Sequence, residues 1–262
     1  MNSLKLFDLT NKTALVTGGT GWLGQAIAEG LAEAGAAVIV SSRNPARAEE
    51  AAARLVTENE QHHVGVSIDQ MDADSIRAGF EQAIALAGSI DILVNNGLEA
   101  VASDLTTITF EEFARHQKNN AGYFDLARHV RDHAVARSAS ASIISIGSMY
   151  GQVGSYPETY DGICAANPVA YQTLKGGTIQ MTKHLAVYWA KDNVRVNCVS
   201  PGPFPNPASA PPELIERLKI HSPMMRMGQP HELKGAIVFL ASDASSYVTG
   251  QNITVDGGWT AW

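Results

Sequence analysis

At 262 residues the chain is long enough to bury a large core and short enough to fold as one domain spanning residues 1–262. Hydrophobic residues make up 45% and charged residues 17%, which excludes a disordered chain, and a net charge of −7 offers no general attraction to nucleic-acid phosphates. There are two cysteines, too few for a disulfide framework, and no apolar run of about 18 residues, so a secreted or membrane-spanning protein is also excluded and a reducing cytoplasm is expected.

Residues 13–17 read as a short buried strand, followed by a glycine cluster and then by Leu23, Ile27 and Leu31 at helical spacing. Gly35 closes that helix and residues 37–41 form a second apolar strand, a βαβ unit that leads to a parallel sheet. The alternation continues with a helix over 45–60, a strand over 64–68, a helix over 73–86 and a strand over 90–95. A long helix over 109–136, a strand over 142–146, a helix over 171–190 and a strand over 195–199 follow, and a helix over 232–241 precedes a last strand over 252–255. The expected fold is α/β: a Rossmann-type, doubly wound, seven-stranded parallel sheet whose ligand sits at the carboxyl ends of the strands. Two irregular stretches, 151–168 and 202–212, each begin just after a strand's carboxyl end, where a substrate pocket is built.

The first turn carries a literal G-x-G-x-x-G at Gly19, Gly21 and Gly24, with Gly18 before it and Trp22 and Leu23 inside it. Glycines suit this place because a Cβ would block the tight turn and hold the backbone off a pyrophosphate seated on the helix N-terminus. At the end of the second strand a carboxylate would accept from the ribose hydroxyls of NAD(H); here Ser42 is uncharged and Arg43 can bind a 2′-phosphate. NADP(H) is therefore expected, with NAD(H) as the alternative.

Tyr171 and Lys175 are four apart at a predicted helix start and share one face. A phenol is a poor acid or base at neutral pH unless a neighbouring ammonium favours its anion. With 7 Tyr and 8 Lys in the chain, such a pair arises by chance ~0.2 times, so corroboration is needed. Ser148, just past the strand over 142–146, supplies it as a hydroxyl able to hold a carbonyl oxygen.

These residues, with Thr17-Gly18, Asp69, Asn95-Asn96-Gly97, Asn119-x-x-Gly122, Ser148-x-x-Gly151, Pro201-Gly202, Thr249-Gly250 and Asp256-Gly257-Gly258, resemble the short-chain dehydrogenase/reductase family, ordinary single-domain branch, from Thr13 to Gly258. The resemblance implies Tyr171 as acid/base, Lys175 lowering its pKa and binding the nicotinamide ribose, Ser148 orienting the substrate oxygen and Asn119 holding a relay water. It implies Asp69 at the adenine, Asn95 on the adenosine side, Gln70, Pro201 and Gly202 at the cofactor, and Ser148, Tyr150, Tyr160, Tyr171 and Phe204 around a carbonyl or alcohol substrate. Tetramers or dimers are also implied. Three features depart from the family's pattern. Trp22 stands at the middle glycine of T-G-x-x-x-G-x-G, Asn95-Asn96-Gly97-Leu98 replaces N-N-A-G, and the interval from Ser148 to Tyr171 is long and rich in polar residues.

That interval and the Asp256-Gly257-Gly258-Trp259 ending look like those of relatives acting on sugars or polyols, so the resemblance implies a sugar, polyol or other hydroxylated ketone; the alternative, a β-ketoacyl thioester, would call for a basic patch to recruit a carrier protein, of which the acidic balance gives no sign. A rival of another class, a dinucleotide-sensing protein without turnover, would have no use for Tyr171, Lys175 and Ser148 together. His129 and His133 have metal-compatible spacing, but flanking arginines and the lack of a third ligand make them a solvated helix face, and no metal is expected. Cys164 and Cys198 read as buried small residues. Met224, Met225 and Met227 read as packing groups, and Trp259 and Trp262 as either a subunit contact or a frayed tail.

Overall fold

The computed structural model describes residues 2–57, 61–100 and 103–261. Seven strands, β1 (Thr13–Val16), β2 (Ala37–Ser42), β3 (Val64–Ser67), β4 (Ile92–Asn95), β5 (Ala141–Ile146), β6 (Val194–Pro201) and β7 (Asn252–Val255), pair in the order β3-β2-β1-β4-β5-β6-β7. Every pairing is parallel. The order reverses between β1 and β4, and the carboxyl ends of those two strands open the crevice that such a reversal creates.

Strand residues alternate faces, and both faces are covered, so the strands read as continuous apolar runs. Val16, Val40, Val94 and Ile144 pack on one side against Ile27 and Leu31 of α1 (Trp22–Glu33) and Ile237 and Leu240 of α8 (Lys234–Ala241). Leu15, Ile39, Leu93 and Ile143 pack on the other. They meet α3 (Ala73–Ala87), α4 (Phe110–Ala136) and α6 (Val169–Trp189) through Phe80, Leu126 and Leu185. The start of α4 is fixed locally by a capping box, in which Glu112 N donates to Thr109 Oγ1 and Thr109 N to Glu112 Oε2.

Several expectations are corrected. α2 (Pro45–Ala53) stops well before residue 60, where the β-branched Val56 and Thr57 follow; residues 58–60 lie outside the described ones. A helix not expected, α7 (Pro212–His221), follows Pro211, and its Leu214, Ile215 and Leu218 pack on Met149, Tyr150, Met227 and Trp259. The long interval contains a short helix, α5 (Pro157–Tyr160). His129 and His133 are not a solvated face: both rings pack on Phe80, at 5.2 and 6.0 Å between centroids, because this flank of α4 turns towards α3. Cys198 is buried but Cys164 is exposed, in the loop after α5. Trp259 is neither frayed nor at a surface: it is 2% exposed, in the aromatic cluster over α7, while Trp262 lies outside the described residues.

Gly122 shows how closely the layers approach. A Cβ there would lie 2.0 Å from the Gln70 carbonyl oxygen, and backbone cannot yield cheaply. Gly122→Ala is expected to cost about 3 kcal/mol, the upper range of overpacking, read as a lower urea midpoint at unchanged m-value.

Candidate active site

The crevice is built first by hydrogen bonds at the ends of β1 and β4. Thr17 Oγ1 donates to Val94 O and accepts from the N–H groups of Asn96 and Gly97, at 3.3, 2.9 and 2.9 Å. Asn96 Nδ2 donates back to Thr17 O and Gly18 O. Gly18 has φ of +59°, and a Cβ on it would fall 2.7 Å from Gly97 Cα; one on Gly24 would fall 2.1 Å from Gly18 O. Gly21 caps α1, and a Cβ on it would meet little but Gly18 O at 3.3 Å, so its missing side chain leaves open space towards the cavity. The first-turn N–H groups of α1 have no intrahelical acceptor and form an anion-binding end.

Above this turn lies a cavity of about 510 Å³. Gly18, Thr20, Gly21, Trp22, Leu23 and Gly24 form its floor, with Ser42, Arg43, Asn44 and Arg47 on one side and Asp69, Gln70, Asn96, Leu98 and Glu99 on the other. Gly19 does not line it: its N–H bonds Ser41 O, and a Cβ on it would press on Val40. Asn95 does not line it either. It is buried, with its amide on Tyr123 O, because the last residue of β4 points into the protein; Asn96, one residue later, reaches the cavity instead. Arg43 lies 3.6 Å from the Glu99 carboxylate, which Arg115 also holds at 2.6 Å. Arg47 and Glu99 escaped notice in the sequence, and Asn96 was named there only within its motif. Asn96 had a signal in its motif, whereas Arg47 and Glu99 are defined only by where the layers meet.

A second cavity, of about 230 Å³, adjoins the first and shares Leu23, Asn96 and Leu98 with it. Ile146, Gly147, Ser148, Tyr171, Lys175, Pro201, Gly202 and Phe204 complete its wall. Ser148 stands just past β5 on the same cavity wall as Tyr171, and its hydroxyl accepts from Tyr150 N at 3.1 Å. Gly151 keeps that rim against α6, since a Cβ there would lie 2.7 Å from the Lys175 carbonyl carbon. Burial pushes the Tyr171 phenol up, and the Ser148 hydroxyl pulls it back. Lys175 sits one turn further along α6; burial pushes its ammonium down to about 8, and Nζ donates to Ile146 O at 2.6 Å.

Asn119 is buried and its side chain is spent. Its Oδ1 accepts from Gln70 Nε2 and Glu99 N, and its Nδ2 donates to Glu99 O and His116 O. Only its main chain is left for any contact with a water. Tyr150 and Tyr160 are not on the cavity wall either. They are buried behind it with hydroxyls 2.6 Å apart, Tyr160 near enough to raise the Tyr171 phenol further. The segment that carries Tyr160 is docked on α7: Arg217 donates to the carbonyls of Glu158 and Asp161, and Tyr156 stacks on His221 at 4.0 Å. Among the described residues there is no group of three or more His, Cys, Asp or Glu side chains able to hold a metal ion. No helix among them is long and apolar enough to cross a membrane.

The buried ammonium has a cost that stability measurements can read. Lys175 titrates at 10.5 when free and at about 8 in the fold, so the unfolded chain holds more protons between those values and stability rises with pH across that window. Lys175→Met is expected to be more stable than the parent at pH 7 by on the order of 3 kcal/mol, with the gain fading as pH rises from about 8 to 10.5. Thermal unfolding of both forms over this range checks it; equal Tm at pH 7 would refute it.

The family model described as enoyl-(acyl carrier protein) reductase matches residues 21–260. A 2-dehydro-3-deoxy-D-gluconate 5-dehydrogenase from Formosa agariphila is 32% identical, with 98% of this chain and 95% of the relative covered. Two solved structures superpose along all of both chains with TM-scores of 0.89: a short-chain type dehydrogenase/reductase from Mycobacterium marinum at 32% identity, and a gluconate 5-dehydrogenase from Burkholderia cenocepacia, in complex with NADP and tartrate, at 31%. With its glycine turn, its Ser148, Tyr171 and Lys175 on one rim and this similarity end to end, the chain belongs to the short-chain dehydrogenase/reductase family, nicotinamide-dinucleotide oxidoreductases of hydroxyl and carbonyl groups.

Proposed function

We propose that the chain is an NADP(H)-dependent oxidoreductase of small hydroxylated ketones and secondary alcohols, with Tyr171 as its acid/base. The observation that carries this is the shared groove: the Ser148, Tyr171 and Lys175 side chains meet on a cavity whose Leu23, Asn96 and Leu98 also wall the larger one beside the glycine turn. The larger cavity fits a dinucleotide because its floor is backbone bared of Cβ atoms at Gly18, Gly21 and Gly24. Bound there, the cofactor supplies or takes the hydride.

The chain's own residues handle the oxygen and its proton. Ser148 donates a hydrogen bond to the substrate carbonyl oxygen, and Tyr171 Oη gives that oxygen a proton as the alcohol forms. In the reverse direction Oη takes the proton back. Burial holds the proton on the Tyr171 phenol in the free protein and makes it a weaker acid, so its donation in reduction depends on groups that favour the phenolate. The Lys175 ammonium, one helical turn away, favours the phenolate that remains. Asn119 contributes through its main chain, its amide holding α4 to the segment after β4.

The NADP(H) preference is supported by Arg43 and Arg47 beside an uncharged Ser42, and by the NADP found in the Burkholderia structure. A hydroxylated, gluconate-like substrate is supported by the two relatives named for such acids and by the polar segment around Tyr160. An assembly of copies is supported by exposed Phe110, Phe124, Val187 and Tyr188 on α4 and α6, and a cytoplasmic location by two unpaired cysteines.

Tyr171→Phe is expected to lower kcat by about 10³-fold while NADPH affinity stays within about twofold; a variant that keeps a tenth of parent turnover would sink the assignment. Arg43→Asp is expected to invert the NADPH over NADH preference in kcat/KM, measured with keto-sugars, ketosteroids and β-ketoacyl thioesters as alternative substrates. An unchanged ratio, or a thioester as the best substrate, would count against the corresponding half of the proposal.

A further inference from the structure

Trp22 occupies the place where the family's usual turn has glycine, and its indole is put to a definite use. Nε1 donates to the main-chain oxygen of Phe204, 3.2 Å away and 182 positions later in the chain. Trp22 belongs to the floor of the larger cavity, and Phe204 to the wall of the catalytic one. Since the two cavities share Leu23, Asn96 and Leu98, they form one groove, and the Trp22–Phe204 bond joins its two banks. Any molecule long enough to fill both cavities has to lie across this junction.

Both ends of the bond are anchored. Trp22 is the first residue of α1, with its backbone fixed by the helix. Phe204 rests its ring on Gly228, where a Cβ would come within 2.5 Å of ring carbons, and Gly228 N donates to Pro203 O at 3.0 Å. Pro203 and Pro205 fix φ at two positions of this loop and so stiffen it. A hollow of about 200 Å³ adjoins the loop, lined by Pro203, Phe204, Met224, Arg226 and Gly257, so this stretch is not closely packed on every side. Trp22 is 40% exposed, and its bond is a lone neutral one that can open and re-form.

We infer that Trp22 is a positioning residue, a strap that ties the cofactor turn to the loop after β6 and must open for a dinucleotide to enter or leave the groove. A side chain that merely touched bound cofactor would hold it in place and slow only its departure. A strap already closed in the ligand-free protein slows entry and exit alike.

That difference defines the test, made on the full chain by stopped-flow, following the fluorescence of the NADPH nicotinamide on binding and on displacement by excess NADP⁺. Trp22→Phe keeps a ring but loses the donor. It is expected to raise the association and dissociation rate constants together, each about fivefold, as one neutral hydrogen bond of about 1 kcal/mol allows. Kd should stay within about twofold. Hydrogen exchange at the Gly202 and Gly228 amides, which bond Val255 O and Pro203 O at the two sides of this loop, should quicken in the ligand-free variant. Trp22→Gly, the family's usual residue, should show the same paired acceleration and keeps the test open where the phenyl ring disturbs folding. A rise in the dissociation rate alone would make Trp22 a plain cofactor contact and overturn the strap, as would unchanged rates in both variants.

Discussion

The site depends on how tightly the ends of β1 and β4 are tied at the point where the sheet order reverses. One threonine hydroxyl, Thr17 Oγ1, serves a carbonyl and two N–H groups there, and one amide, Asn96 Nδ2, returns to the carbonyls on the other side. The turn can come so close only because Gly18, Gly24 and Gly97 have no side chains to separate the backbones. From this knot α1 takes its direction, and with it the end of a helix whose free N–H groups face the cavity. The same closeness continues into α4, where Gln70 joins Gly97 to Asn119 through one side-chain nitrogen. Relaxing any of these contacts would shift the cofactor floor and the catalytic rim relative to each other.

Burial sets the chemistry of that rim. Lys175 is removed from water, which lowers the affinity of its amine for a proton, while the bond its Nζ donates to Ile146 O favours the charged form. Tyr171 is shielded too, and for a phenol the same shielding favours the protonated form. The two effects oppose each other across one helical turn, so the free protein pairs a strong proton holder with an ammonium readier than usual to give up its own. Evolution has accepted an unfavourable buried cation here, as functional sites commonly do.

Around this frame the less regular parts are joined to one another more than to the sheet. The segment with Tyr156 and Tyr160, α7 and Trp259 form one aromatic cluster, held by the Arg217 fork and the stack on His221. Such a unit can vary in length and composition while the rim stays put, the usual division between a scaffold and the loops that read a substrate.

The sequence by itself determined the sheet, its alternation with helices, and the grouping of Ser148, Tyr171 and Lys175 on one rim, because strand periodicity, glycine at a strand-to-helix turn and a four-residue helical spacing are local signals with local causes. It also marked Trp22 as a departure, without showing what the indole would do. Tertiary structure decided the rest. Which of two adjacent asparagines reaches the cavity turned on the face to which the end of β4 points, and Asn119 lost its side chain to crosslinking only because Gln70 and Glu99 arrive beside it. Tyr150 withdrew behind the wall onto Trp259, the histidines of α4 found Phe80, and Trp22 found Phe204, each through a partner far away in the chain. Local patterns fix what a segment becomes; contacts across long separations are settled only when the layers close, since they depend on distances and burial that a linear pattern does not carry.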